Sequence, residues 1–184
     1  MSGDKEQAAL PKLKYVQYSH EKEPLYLTAI RKLIAEELSE PYSIYVYRYF
    51  LGQWGELCFL ALDEEDRLLG VVICKLEPHT SCPLRGYIAM LVVLKEFRGN
   101  GIATQLVKMA IDAMIAKDAY EICLETEVVN VAATKLYERL GFLKTKQLHR
   151  YYLNGNSANR LLLPLKAKED TNSSDETTSQ DSPA

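Results

Sequence analysis

The feature that most limits how this chain can fold lies at residues 87–107. The unbroken apolar run YIAMLVVL is followed by KEFRGNGIATQLV, whose second half carries the apolar period of a helix. Glycine at a helix start costs order unless the backbone must do something that a side chain would obstruct. A strand, a glycine-bearing loop and a helix start together form a cup of backbone N–H groups at the positive end of the helix dipole. Phosphate or pyrophosphate fits such a cup. Two nucleotide patterns fail. No Lys follows Gly101 in the place a Walker loop requires, and Thr104 stands where a dinucleotide fingerprint needs Gly or Ala. A third pattern, Arg or Gln, two residues, Gly, one residue, then Gly or Ala, is met by Arg98, Gly101 and Ala103. A plain surface loop is the alternative reading.

Around this unit, LKYVQY (13–18) alternates as an opening strand. EPLYLTAIRKLIAEEL (23–38) has Pro24 in a first helical turn and Leu25, Ala29, Ile30, Leu33, Ile34 and Leu38 on one face. Residues 41–54 are ambiguous. Tyr45, Tyr47 and Tyr49 alternate as in a strand, whereas Tyr42, Val46 and Tyr49 fit the inner face of a helix that leaves Tyr45, Tyr47 and Phe50 partly outward. LCFLAL, the polar DEEDR and LLGVVICKLE form a hairpin. PHTSCPL is a loop leading into GYIAMLVVL, expected to be buried on both faces. The helix after the glycines turns Ile102, Leu106, Met109, Ala110, Ala113 and Met114 inward. YEICLETE is a strand, NVAATKLYERLGF a helix stopped by Gly141 at C′, and FLKTKQLHRYYL and RLLLPLK two strands joined by NGNSAN. The order β-α-α-β-β-β-α-β-α-β-β makes an α/β chain with a mixed α+β sheet and no internal repeat.

At 184 residues and 47% hydrophobic, the chain holds one well-buried domain, expected over residues 13–166 after a flexible segment 1–12. Residues 167–184 carry five acids and one lysine with no large apolar residue, the composition of a disordered acidic tail. Without it the 22 basic and 25 acidic residues become 21 and 20, so neither net charge nor a basic cluster points to nucleic acid. Cys58, Cys74, Cys82 and Cys123 lack metal spacing, and His79 with Cys82 is half a site at most, so no metal is expected. No signal-peptide pattern and no membrane-length apolar run occur, and a soluble cytoplasmic protein is the expectation.

Glu125 and Glu127 are two apart on a strand and share one face. Paired acids are often a solvated strand end, but Glu125 lies where the apolar ICL meets solvent, a place where a carboxylate pKa can rise.

The loop at residues 98–104 resembles the pyrophosphate loop of the GNAT superfamily of acetyl-CoA-dependent acetyltransferases. ETEVVNVAATKLYERLGF resembles that superfamily's next segment. LSEPYSIYVYRYF, RGYIAML, RGNGIA, LETE and RYYLN extend the likeness to the catalytic subunits of N-terminal acetyltransferase C (NatC), over about residues 14–166. Ala132 replaces a common Ser, His149 an aromatic and Val129 a polar residue.

The resemblance implies a single GNAT domain that acetylates α-amino groups of nascent chains beginning Met-Leu, Met-Ile, Met-Phe or Met-Trp. Acetyl-CoA would lie on Arg98, Gly99, Asn100, Gly101, Ile102, Ala103 and Thr104, with Asn130 and the backbone of Val92 and Val93 along its pantetheine arm. It makes Glu125 the general base and Tyr137 the residue beside the cofactor sulfur. Leu38, Glu40, Pro41, Tyr42, Tyr87, Tyr151 and Tyr152 would line the peptide groove, with Glu40 near the amino end. It also implies a large auxiliary subunit, a small Sm-like subunit and the ribosome as partners. A GNAT acting on lysine side chains or small amines, or a silent GNAT-fold binding subunit, are the other readings.

Overall fold

The expected element order recurs in the computed structural model, which describes residues 11–38 and 42–166. The elements are β1 (Lys14–Gln17), α1 (Glu23–Glu37), α2 (Ile44–Trp54), β2 (Phe59–Leu62), β3 (Leu68–His79), β4 (Cys82–Val93), α3 (Ile102–Ala116), β5 (Glu121–Glu127), α4 (Val131–Arg139), β6 (Leu143–Leu148) and β7 (Ala158–Pro164). Glu40, Pro41, residues 1–10 and the acidic segment 167–184 lie outside the described residues.

Seven strands form one sheet in the order β1-β2-β3-β4-β5-β7-β6, antiparallel throughout except between β4 and β5. Helices α1 and α2 cover one face, packing Ile30, Ile34, Tyr47 and Leu51 on Leu60, Val71, Ile73 and Val92. Helices α3 and α4 cover the other, where Ile102, Leu106, Ala110, Met114 and Tyr137 meet Val72, Cys74, Ile88 and Ile122. All four cysteines are buried free thiols, and burial first of all pushes Cys58 up to about 12.

Several expectations need correction. Residues 44–54 are helix, because Tyr47, Phe50, Leu51 and Trp54 form a stripe of helical period beneath the more conspicuous alternation of tyrosines. Tyr47 and Phe50 are therefore buried, while Tyr49 is exposed and Tyr45 stands 76% exposed. In α1 the buried set includes Tyr26 and Leu27, and Leu25 faces solvent. Val107, not Met109, joins the fully buried face of α3. The PHTSCPL loop is a continuation of the β3–β4 ladder as far as the pair His79–Cys82. Strand β6 stops at Leu148, so Tyr151 and Tyr152 sit on the loop that follows, after a positive φ of 48° at Arg150. β6 is the exposed edge of the sheet, where Lys144 and Lys146 discourage pairing with another chain.

Candidate active site

The site originates in a backbone irregularity. Ile73 pairs with Met90 and Cys74 with Ile88, which leaves Ala89 as an extra residue in β4. A bulge bends its strand. The parallel pairing with β5 covers only residues 85–87 against 121–123, and beyond it the two strands diverge. A cleft of about 850 Å³ opens between them. The bulge also explains why β4 is not buried evenly: Tyr87, Ala89 and Leu91 are half-buried and line the cleft.

Glu125 lies in this cleft with its side chain only 4% exposed. Its Oε2 accepts a 2.8 Å hydrogen bond from the Tyr87 hydroxyl, and its Oε1 accepts one of 2.7 Å from Arg160 Nε. Arg160 is opposite Glu125 in the β5–β7 register, so the ladder itself sets that contact. Glu127 is occupied differently: its two oxygens accept from Asn154 Nδ2 at 3.0 Å and Asn156 Nδ2 at 3.1 Å, holding the loop that carries Tyr151 and Tyr152. Those two rings pack edge to face at 5.1 Å. Burial, followed by the Glu125 charge, raises Tyr87 and Tyr151. In Tyr152 burial acts first, and its neighbours Tyr151 and Glu125 add to it. All three are neutral donors at neutral pH.

Tyr137 reaches the cleft from α4, 5% exposed. Gly141, at φ 93°, ends that helix: Gly141 N–H bonds Glu138 O and Phe142 N–H bonds Tyr137 O, both at 3.0 Å. This is the Schellman arrangement, and its apolar contact is Phe142 on Tyr137, ring centroids 5.5 Å apart. The helix end thus fixes the tyrosine, whose hydroxyl stays protonated because burial first, then Cys74 and Tyr152, push its ionisation up. Asn130 lines the same cleft as the N-cap of α4; its Oδ1 accepts from Ala133 N–H at 3.1 Å, which leaves its NH₂ to offer.

The glycine loop sits at the end of β4. Gly99 and Gly101 have φ of 81° and 79°, and a Cβ on either would point into open space, away from the rest of the described fold. Gly101 is the N-cap of α3, so the first-turn N–H groups of Ile102, Ala103 and Thr104 have no intrahelical acceptor. This open backbone cup lies just past the end of β4, the strand that lines the cleft. Arg98 turns away from the cup. Its Nε donates to Val93 O at 3.0 Å and its Nη2 to Glu37 at the end of α1. Asn100 likewise bonds back to Phe97 O and Arg98 O.

The structure therefore brings Glu125, Tyr137, Asn130, Leu38, Tyr42, Tyr87, Tyr151 and Tyr152 around one cleft. The buried Val92 and Val93 lie beyond its lining at the end of β4, and residues 98–104 form the cup that follows. Sequence reasoning missed Arg160, Glu37, Phe50 and Leu153. Arg160 alone had a signal, a charged residue opening the apolar run RLLL, but its partner depends on a strand register that local pattern does not specify.

Comparison with known proteins accords with this geometry. The model of the acetyltransferase (GNAT) family matches residues 27–142. N-alpha-acetyltransferase 30 of Schizosaccharomyces pombe is 56% identical over 148 residues, 80% of this chain and 95% of that protein. The Homo sapiens protein of the same name is 52% identical over 154 residues, 84% of this chain but 41% of the human protein's length. A chain from the crystal structure of the NatC complex bound to Gag peptide and CoA superposes with a TM-score of 0.81 at 48% identity, covering 84% of this chain and 99% of that one. With its bulged fourth strand, glycine cup and buried glutamate in the cleft, the chain belongs to the GNAT acetyltransferase family, and within it to the N-alpha-acetyltransferases.

Proposed function

We propose that this N-alpha-acetyltransferase is the catalytic subunit of a NatC-type complex and acetylates protein N-termini beginning Met-Leu, Met-Ile, Met-Phe or Met-Trp. The supporting observation is the Glu125 carboxylate, buried and doubly hydrogen-bonded, in one cleft with Tyr137 and the tyrosines Tyr42, Tyr87, Tyr151 and Tyr152. Likeness to the chain crystallised in NatC with a peptide and CoA supports the complex and a peptide substrate.

Acetyl-CoA supplies the acetyl group as a thioester. Through their backbone N–H groups, residues 98–104 would hold its pyrophosphate, the Arg98 side chain bracing the loop from outside, and Asn130 with the backbone of Val92 and Val93 would guide the pantetheine arm. An α-amino group has a pKa near 8, so at neutral pH most of it must lose a proton before it attacks. Glu125 takes that proton, directly or through a water. Tyr137 holds a proton for the departing sulfur, and backbone N–H donors polarise the acyl carbonyl. Leu38, Tyr42 and Phe50 give the cleft an apolar wall for a large second residue, while Tyr87, Tyr151 and Tyr152 offer hydroxyls to the peptide backbone. The large auxiliary subunit, the small Sm-like subunit and the ribosome are the proposed partners, in the cytoplasm.

Incubation with acetyl-CoA and peptides differing in their first two residues tests the assignment. Met-Leu, Met-Ile, Met-Phe and Met-Trp peptides are acetylated fastest. A preference for Ser- or Ala-initiated peptides, or for internal lysines, overturns it.

A further inference from the structure

We infer that Arg160 is a positioning residue for Glu125, setting its positive charge and a 2.7 Å hydrogen bond against this buried carboxylate, the proposed proton acceptor. The inference rests on the reading of Glu125 as general base.

Arg160 touches Glu125 but does not line the large cleft. It approaches from a second cleft of about 390 Å³, which shares Tyr87, Glu125 and Tyr151 with the first and adds Arg85 and Lys75. A bound peptide or thioester in the large cleft is therefore held by other residues, and Arg160 acts through Glu125. Its guanidinium keeps its charge there: burial works against it, but the hydrogen bond and charge of Glu125 outweigh that cost.

The surroundings leave Arg160 without a substitute. On β4, Tyr87 offers Glu125 a neutral hydroxyl, and Arg85 is paired with Glu121. On β3, Lys75 is paired with Glu77. On β5, Cys123 is pushed up to about 11, by burial first and then by Glu125, while Glu127 is held by the two asparagines. On the loop after β6, Tyr151 and Tyr152 are raised and neutral. Among the described residues, Arg160 is the cation hydrogen-bonded to Glu125. A buried carboxylate deprived of its cation favours the protonated form, which accepts no proton from an amine. Beside Arg160 and Tyr87, an ionised carboxylate still has lone pairs for an incoming amine or water.

The test compares Arg160→Gln and Arg160→Lys, each in the complex with its auxiliary partner, by peptide acetylation kinetics from mildly acidic to mildly alkaline pH. Arg160→Gln keeps a donor and loses the charge. Its kcat at neutral pH falls about 10²-fold, KM for peptide and acetyl-CoA stays within about twofold, and activity recovers as pH rises. Arg160→Lys keeps the charge and so keeps the parent pH profile, with kcat lowered less than about tenfold. A folded Arg160→Gln with the parent kcat and pH profile overturns the inference, as does a loss confined to KM. Should Arg160→Gln fail to fold by circular dichroism, the lysine variant decides: an unchanged pH profile supports the role and a shifted one overturns it. Glu125→Gln separates the two ideas. If it retains turnover, the general-base reading fails; if it is inactive while Arg160→Gln is normal, only this inference fails.

Discussion

Tyr87, on the bulged strand β4, donates a 2.8 Å hydrogen bond from its hydroxyl to Oε2 of Glu125 on β5. Their backbones part just beyond residue 87, so this bond crosses the floor of the cleft where the ladder no longer does. With the proposed general base anchored there and Tyr137 fixed by its helix end, their substitutions separate chemistry from binding. Glu125→Gln keeps shape and removes basicity; Tyr137→Phe keeps the packing on Phe142 and removes the proton. Each is expected to lower kcat by ~10²–10⁴-fold with acetyl-CoA affinity little changed. Steady-state kinetics beside calorimetric titration of acetyl-CoA checks this, and near-normal turnover in both would remove the assigned roles.

The glycine cup predicts the opposite split. At φ 79° and with open space before it, Gly101 presents bare backbone at the start of α3. Gly101→Glu puts bulk and negative charge where pyrophosphate is proposed to bind, so acetyl-CoA affinity should drop more than about tenfold. Gly101→Ala is the control for backbone strain, at roughly 1–2 kcal/mol. Equal acetyl-CoA affinity in parent and glutamate variant, measured on folded protein, would assign the loop another task.

How much of this was legible in the sequence depends on the range of the interaction. Strand, glycine loop and helix are local patterns, and the element order read from them is the order found. Gly141 was recognisable as a helix stop because the αL requirement acts over six residues. The bulge at Ala89 left no such mark, since an extra residue in an apolar strand looks like any other. Nor did the bond from Arg98 to Glu37, which joins residues far apart in the chain. The faces of α2 were misread because tyrosines at alternate positions masked the Tyr47, Phe50, Leu51 stripe.

Close packing of α3 on the sheet gives a stability prediction independent of catalysis. A Cβ on Gly86 would lie 2.3 Å from Met114 Sδ and 3.0 Å from Ile122 Cγ1, both in fully buried side chains. Methionine can bend aside, but the core around it has nowhere to move without strain. Gly86→Ala is expected to cost about 1–3 kcal/mol, read as a lower urea midpoint at unchanged m-value. An unchanged midpoint would show that the interface yields more easily than its geometry implies.

The last prediction concerns the outer surface of the first two helices. Burying Tyr47, Phe50 and Leu51 leaves less aromatic surface outside than an outward Tyr47 and Phe50 would have given. Trp54 donates to Leu76 O at 3.0 Å and Tyr49 to Glu77 at 2.9 Å, so the end of α2 is tied to β3 as part of this domain. What stays outward is Tyr45, 76% exposed on α2, with Tyr49, exposed but bonded to Glu77, and Leu25, 62% exposed on the neighbouring α1. Single exposed apolar residues are ordinary, but a tyrosine at such a position is the type of side chain that anchors interfaces. Under the proposal of an auxiliary subunit, α1 and α2 are the docking face, and the chain alone is poorly active. Tyr45→Glu should then weaken the complex by more than about tenfold and leave the isolated fold intact, because so little of the ring is packed. Hydrogen exchange in α1 and α2 should slow on complex formation. Full activity of the isolated chain, with the same exchange rates in those helices whether or not the partner is present, would rule this face out.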